Sequence, residues 1–104
     1  MPTTTINGHD ILVDDEGFMT DYDQWNYQTG QALASAIGID MTDEHWAVIH
    51  FLRQDFKIQG VTPTIRRVSS AGHFDTKRLF ELFPNKPAKK MAYIAGLPKP
   101  HGCV

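Results

Sequence analysis

The sequence predicts one small, mainly helical α+β domain: an orthogonal bundle of about five helices with an N-terminal β-hairpin and a flexible C-terminal arm. Three observations support this fold class, and the first is a length of 104 residues, which is enough for one core. The second is a composition of 41% hydrophobic and 21% charged residues, which is typical of globular proteins. The third is an early Asn-Gly turn, after which glycines and prolines divide the chain into segments with helical periodicity. We therefore treat residues 1–104 as a single domain.

The β-hairpin is predicted over residues 3–13. Asn7-Gly8 is a strong two-residue turn because both positions accept positive φ, and β-favouring residues flank it. An isolated hairpin is only marginally stable, so its apolar side must pack against helices. The side chains expected to do so are Ile6, Ile11 and Val13.

Caps, glycines and prolines set the limits of the helices. The second helix is the strongest prediction, because Thr42 caps it and apolar residues follow at a spacing of three to four until Gly60. Its inward positions are Trp46, Ile49, Leu52, Arg53 and Phe56. The other helices are predicted over about Tyr22–Ile37, Pro63–Ser70 with Thr62 as cap, Asp75 to the stop at Pro84, and Pro87 to Gly96.

Charge and targeting signals limit the function classes. The net charge of −2 conceals an asymmetry: residues 1–65 hold two Lys and Arg against ten Asp and Glu, and residues 66–104 hold eight against two. Solvated faces of opposite sign are the ordinary explanation, and a basic surface for an acidic protein or RNA is the functional one. The chain has no apolar run of membrane-spanning length and no N-terminal signal pattern, so we expect a cytoplasmic protein without a membrane partner.

Cys103 is the only cysteine, so neither an internal disulfide nor a zinc site of several thiolates can form, and no metal or cofactor is expected. It is penultimate in an arm over residues 97–104, where Pro98 and Pro100 prevent a helix and Gly96 and Gly102 are expected joints. A lone cysteine is ordinarily a small buried hydrophobe, but a core residue beside the terminal carboxylate would be unusual. An accessible thiolate could instead carry sulfane sulfur as a persulfide.

Several charged neighbours could modulate that thiolate or bind a partner. Lys89, Lys90 and Lys99 would favour the anion, and His101 is two residues from the sulfur. The chain has no set of Cys, His and Asp at a spacing that would indicate hydrolytic catalysis.

A DNA-binding regulator is the alternative class. The second and third helices have the outline of a helix-turn-helix, and Arg66, Arg67, Lys77 and Arg78 could reach phosphates. The third helix is short and carries little that reads base edges, so direct nucleic-acid binding is not favoured. In this reading Cys103 would be a sulfur or redox sensor.

Motifs along nearly the whole chain are similar to those of one known family. The most specific is Ala95-Gly96-Leu97-Pro98-Lys99-Pro100 followed by Gly102-Cys103-Val104; the others are Asp15-Glu16-Gly17-Phe18, Thr42-Asp43-Glu44-His45-Trp46, Phe51-Leu52-Arg53, Leu82-Phe83-Pro84 and Pro87-Ala88-Lys89. On these residues the chain resembles the DsrC/TusE sulfur-relay family, also called the gamma subunit of dissimilatory sulfite reductase.

The resemblance implies a persulfide carrier of sulfurtransferase type that depends on partner proteins. Cys103 would accept and donate the sulfur, and Lys99, His101, Gly102, Arg66, Lys89 and Lys90 would modulate it or bind partners. The implied donor is a TusBCD-like complex or another sulfurtransferase, and the implied acceptor is a tRNA-thiolating enzyme or a sulfite-reductase-type partner.

The chain departs from the family pattern at three places. The two-cysteine members carry a second cysteine eleven residues upstream, where this chain has Ala92, so their intramolecular disulfide cannot form. His101 replaces the usual Thr, and the Ser69–Thr76 connection is short. Assignment to tRNA thiolation or to sulfur oxidation is left open by these departures.

Overall fold

The structure is a computed structural model that describes residues 3–100. Its elements confirm the predicted fold class, with five α-helices following a two-stranded antiparallel hairpin. They are β1 (Thr3–Ile6), β2 (His9–Leu12), a 3-10 turn (Tyr22–Gln24), α1 (Tyr27–Ala36), α2 (Asp43–Gln59), α3 (Ile65–Gly72), α4 (Thr76–Leu82) and α5 (Pro87–Ala95).

The hairpin forms as predicted. Asn7 and Gly8 both adopt positive φ, at 52° and 80°, and β1 pairs with β2 on either side of them. Its apolar side is buried against α1 and the segment before it, in a small cluster completed by Met19 and Leu33. Because a two-stranded ribbon is marginal alone, this burial is what holds the hairpin in place. The cluster contains the predicted Ile6, Ile11 and Val13.

Two helices form the centre of the larger core. α2 packs against α5 and α3, and α5 also contacts α1 and α4. Ile49, Leu52, Met91 and Ile94 are at most 1% exposed between α2 and α5. The end of α5, and the segment that leaves it, are therefore held by the best-packed part of the molecule.

Two helices begin later than predicted, because other side chains cap them. The first predicted helix, Tyr22–Ile37, is interrupted: Asp21 caps only a 3-10 turn, and α1 begins at Tyr27 because the Asn26 side chain accepts the Thr29 N–H. The prediction that α3 begins at Pro63 is also wrong. Thr64, rather than Thr62, is its N-cap and accepts the Arg67 N–H.

The cap of α2 contains a buried histidine that the sequence does not single out. His45 Nδ1 accepts the Thr42 N–H at 3.0 Å, and Nε2 lies 2.9 Å from the Leu82 carbonyl oxygen. A carbonyl can only accept, so Nε2 carries the proton and His45 is the neutral tautomer that ties α2 to α4.

Within residues 3–100, no group of three or more His, Cys, Asp and Glu side chains could hold a metal ion.

The first part of the predicted C-terminal arm is packed rather than free. Leu97 is fully buried and Pro100 is also buried. The expectation that the arm projects from residue 97 is therefore wrong at Leu97 and Pro100, whereas Pro98 and Lys99 between them are exposed. Among residues 3–100, no helix is both long and apolar enough to cross a membrane.

Candidate functional site

The end of α5 is capped by side chains from distant parts of the chain. Trp25 Nε1 donates to the Ile94 carbonyl at 2.8 Å, and Arg53 Nη1 donates to the Ala95 carbonyl at 2.8 Å. The last carbonyls of a helix have no partner within it, so these two donors satisfy groups that would otherwise need water. We call residues 96–100, which follow this cap, the C-terminal root.

Arg53 connects three elements at the root. Its guanidinium carbon lies 3.8 Å from the centroid of the Tyr22 ring and 4.2 Å from the centroid of the Trp25 ring. Nη2 donates to the Tyr22 carbonyl at 3.0 Å, and the Tyr22 hydroxyl donates back to the Arg53 carbonyl at 3.1 Å. Burial lowers the pKa of Arg53, but a guanidinium remains a cation throughout the physiological range. One cation thus holds α2, the 3-10 turn and the end of α5 together.

Gly96 makes the turn out of α5 in a tightly packed place. Its φ is +69°, and a β-carbon there would overlap the Trp25 ring, with Cγ only 2.8 Å away, and would lie 3.0 Å from Met19 Sδ. The Leu97 N–H donates to the Ala92 carbonyl and closes the turn. Gly96 is therefore a fixed turn rather than the joint that the sequence predicts.

Two polar contacts attach the root to different loops of the body. Thr62 Oγ1, on the loop after α2, donates to the Pro98 carbonyl at 2.8 Å. Lys99 Nζ lies 2.8 Å from a carboxylate oxygen of Glu16, in the acidic turn after β2. These contacts thus fix the path of the chain as far as Pro100.

A basic groove lies beside the root. It has a volume of about 450 Å³, and three lysines around the first turn of α5 form much of its wall. Lys90 Nζ donates to the Pro84 carbonyl at 2.6 Å, which fixes the position of one ammonium group. We call this feature the lysine groove; it is lined by Glu16, Phe18, Ile37, Asn85, Lys86, Lys89, Lys90 and Tyr93.

The structure brings together three of the basic residues predicted to modulate the thiol or bind partners. Lys89 and Lys90 line the lysine groove, and Lys99 reaches its edge through the ion pair with Glu16. Arg66 is exposed on α3 and is not part of the groove. The predicted catalytic Cys103, together with His101 and Gly102, lies outside the described residues.

Two of the four cations of the helix-turn-helix interpretation, Arg67 and Arg78, are engaged by carboxylates. Arg67 makes a two-pronged pair with Asp55, at 2.7 and 2.8 Å, and that hydrogen bond raises the Arg67 pKa. Arg78 makes a similar pair with Glu44. A phosphate backbone would have to displace both carboxylates, and nothing in the structure favours the DNA-binding alternative.

Sequence reasoning missed most of the residues that hold the root. Trp25 falls within the first predicted helix and Arg53 on the inward face of the second, but their hydrogen bonds to the end of α5 span 69 and 42 residues. One signal was present: Arg53 falls on the apolar face of α2, and a cation there needs a partner. Thr62 and Glu16 carried no such signal, because a threonine before proline and a carboxylate in an acidic turn have ordinary local explanations.

Fold and site together define a small helical protein whose C-terminal segment leaves the core from a rigidly capped helix. The family model described as DsrC like protein matches residues 5–104, and this chain belongs to that family. It is 36% identical over 105 residues, all of both chains, to the gamma subunit of the dissimilatory-type sulfite reductase of Nitratidesulfovibrio vulgaris. It is 35% identical over 106 residues to the sulfurtransferase TusE homolog of Haemophilus influenzae, covering 95% of this chain and 97% of that one.

A solved relative has the same fold. The solution structure of DsrC from Allochromatium vinosum matches with a TM-score of 0.82 and 32% sequence identity. The match covers 98% of this chain and 97% of the other. The family resemblance indicated by the sequence motifs is therefore confirmed.

Proposed function

We propose that this chain is a sulfur-relay protein that carries sulfur as a persulfide on Cys103 and depends on partner proteins for its supply and delivery. The proposal is carried by one observation: the sole cysteine is penultimate in a chain that matches the DsrC family model through residue 104. Relatives of similar length are named as a sulfurtransferase and as a sulfite reductase subunit, and both names concern sulfur chemistry.

The transfer step needs only a thiolate on this chain. The Cys103 thiolate attacks the outer sulfur of a donor persulfide, one new S–S bond forms, and the donor S–S bond breaks. The donor leaves as a thiolate and Cys103 becomes the persulfide, so the step needs no external oxidant or reductant. Delivery is the same reaction in the opposite direction, with an acceptor thiolate attacking the outer sulfur of the Cys103 persulfide.

The root supports this role because it limits the distance between Cys103 and the body of the protein. Pro100 is buried, and Cys103 is three Cα–Cα steps beyond it. A peptide extends at most about 3.6 Å per residue, so the Cys103 Cα stays within about 11 Å of the Pro100 Cα. A partner that recognises the body is thereby brought close to the sulfur.

A two-cysteine cycle is not part of this proposal. Ala92, eleven residues before Cys103, is fully buried on α5 and supplies no thiol. Oxidation of Cys103 must therefore use a second chain or a small thiol. The donor we propose is a TusBCD-like complex or another sulfurtransferase, and the acceptor is a tRNA-thiolating or sulfite-reductase-type enzyme.

Lys99 and His101 remain proposed modulators of the thiolate, with Gly102 giving backbone freedom beside it. Lys99 already pairs with Glu16, so its effect on Cys103 depends on how firmly that pair holds. A thiolate titration followed by ultraviolet absorbance, on the native chain and on Lys99→Gln, measures this contribution.

The proposal is tested by intact-mass spectrometry after incubation with a low-molecular-mass persulfide such as glutathione persulfide. We expect the native chain to gain sulfur that a reductant removes, and Cys103→Ser to gain none. Mild oxidation without a donor should give a reducible dimer or a mixed disulfide. An unmodified native chain, or equal sulfur uptake by Cys103→Ser, would refute the carrier role.

A further inference from the structure

We propose that the lysine groove is the docking site for an acidic segment of a sulfur-exchanging partner protein. This inference rests on the proposed function and deepens it, because it assigns the recognition of the partner to a surface separate from Cys103. The groove is an open, basic channel with an apolar floor, and it lies next to the root from which the sulfur-bearing residue continues.

The charge balance of the groove favours an anionic occupant. Lys86, Lys89 and Lys90 line it, and the one acidic side chain in its lining, Glu16, is already paired with Lys99. The groove therefore keeps a net excess of three positive charges in a chain whose total is −2. A local field of this sign attracts carboxylates and speeds their association.

The charges of these lysines are unfavourable for α5 itself. They cluster around the first turn of the helix, where the dipole is positive and acidic residues are the stabilising choice, and that turn contains no acidic residue. The Lys86 side chain also makes no capping hydrogen bond there. A locally unfavourable arrangement of charges is expected where a surface serves binding.

The floor of the groove indicates a peptide rather than a free anion. Phe18 and Tyr93 meet edge to face with ring centroids 6.0 Å apart, and Ile37 adds an aliphatic side chain. An apolar side chain flanked by carboxylates would place its hydrophobic part on these rings and its charges on the lysines. A small anion would use only the ammonium groups.

The surroundings distinguish an acidic peptide from a nucleic acid. The acidic turn that contains Asp14, Asp15 and Glu16 borders one side of the groove through Glu16, and it would repel a phosphate backbone running past the site. That turn repels carboxylates as well, but a segment of a few residues can bind the three lysines without running along it. Lys99, which pairs with Glu16 at the edge of the groove, is four Cα–Cα steps from Cys103, so the two Cα atoms lie within about 14 Å of each other.

The test uses a synthetic heptapeptide with one phenylalanine between two runs of three glutamates, titrated into the ¹⁵N-labelled full chain. We expect amide shifts concentrated in the first turn of α5 and at Phe18, and binding that weakens as salt rises. Lys86→Gln combined with Lys89→Gln should weaken binding by about 5–10-fold. The matched control, Lys57→Gln with Lys77→Gln, removes the same charge from exposed sites elsewhere and should change binding by less than about twofold.

Each outcome decides the proposal. Shifts spread over other surfaces, equal weakening by the control pair, or tighter binding of a single-stranded oligonucleotide to the same amides would overturn it. The groove variant should keep or raise the melting temperature, since it removes cations from the positive end of a helix, so lost binding cannot be attributed to unfolding. Sulfur loading of Cys103 from glutathione persulfide is measured on the native chain, so that this readout does not depend on the groove lysines. Failure of loading in the native chain would refute the carrier role, whereas normal loading without peptide binding at the groove would refute only the docking site.

Discussion

Gly96→Ala, compared with Gly60→Ala, measures how tightly the root is packed. Both glycines end a helix in the left-handed region, at φ +69° and +77°. Nothing lies within 4 Å of a β-carbon at Gly60. That variant therefore loses only the free energy needed to hold an alanine in the left-handed region, about 1–2 kcal/mol. At Gly96 the same backbone term is joined by overlap with the Trp25 ring.

The ring cannot easily move aside to admit the new methyl group. Trp25 is held by its hydrogen bond to the Ile94 carbonyl and by the Arg53 guanidinium stacked on it. Overpacking of this kind costs about 1–3 kcal/mol, which brings the total for Gly96→Ala to about 2–5 kcal/mol.

The assay is chemical and thermal unfolding of both variants beside the native chain. Gly96→Ala should be less stable than Gly60→Ala by about 1–3 kcal/mol, which at about 4–8 °C per kcal/mol is a melting temperature roughly 5–20 °C lower. Equal losses in the two variants, within about 0.5 kcal/mol, would refute the packed root and restore Gly96 as a joint.

Three further variants test other contacts. Arg53→Lys removes the planar donor pair and the ring stacking, and should lower the free energy of unfolding by about 2–3 kcal/mol in urea melts, whereas exposed Arg66→Lys should change it by less than about 0.5 kcal/mol. Thr62→Val leaves a root carbonyl without its donor and should cost about 1 kcal/mol by the same measurement. Arg78 lowers the pKa of Glu44 by hydrogen bonding, so this carboxylate stabilises the fold above its unfolded pKa and the benefit disappears as pH falls through the folded value. The melting temperatures of Glu44→Gln and the native chain should therefore converge in acid, and a constant gap would contradict the ion pair.

The proposed docking site and the proposed sulfur site assign partner recognition and sulfur transfer to different residues of one small domain. In this proposal, recognition uses the lysines around the first turn of α5, and the chemistry uses Cys103.

Much of the fold follows from the sequence because its signals are local. Asn7-Gly8 specifies the hairpin turn, Thr42 begins α2, and Pro87 begins α5, and each acts within a few residues of itself. The two wrong helix starts also have local causes. Asn26 and Thr64 cap their helices in place of neighbouring residues that could also cap. Which residue does so depends on the backbone N–H groups that each side chain can reach.

The proposed chemistry of the chain also rests on the sequence, since a single cysteine and its position need no coordinates. The lysines at the start of α5 were visible too, but not the aromatic floor beneath them. Only the tertiary structure decided how the sulfur-bearing end is held. Trp25 and Arg53 reach the end of α5 across 69 and 42 residues of chain, and Thr62 reaches the root across 36. Such contacts depend on how α2 and α5 pack, and no local pattern of residues encodes the distance between side chains so far apart in sequence.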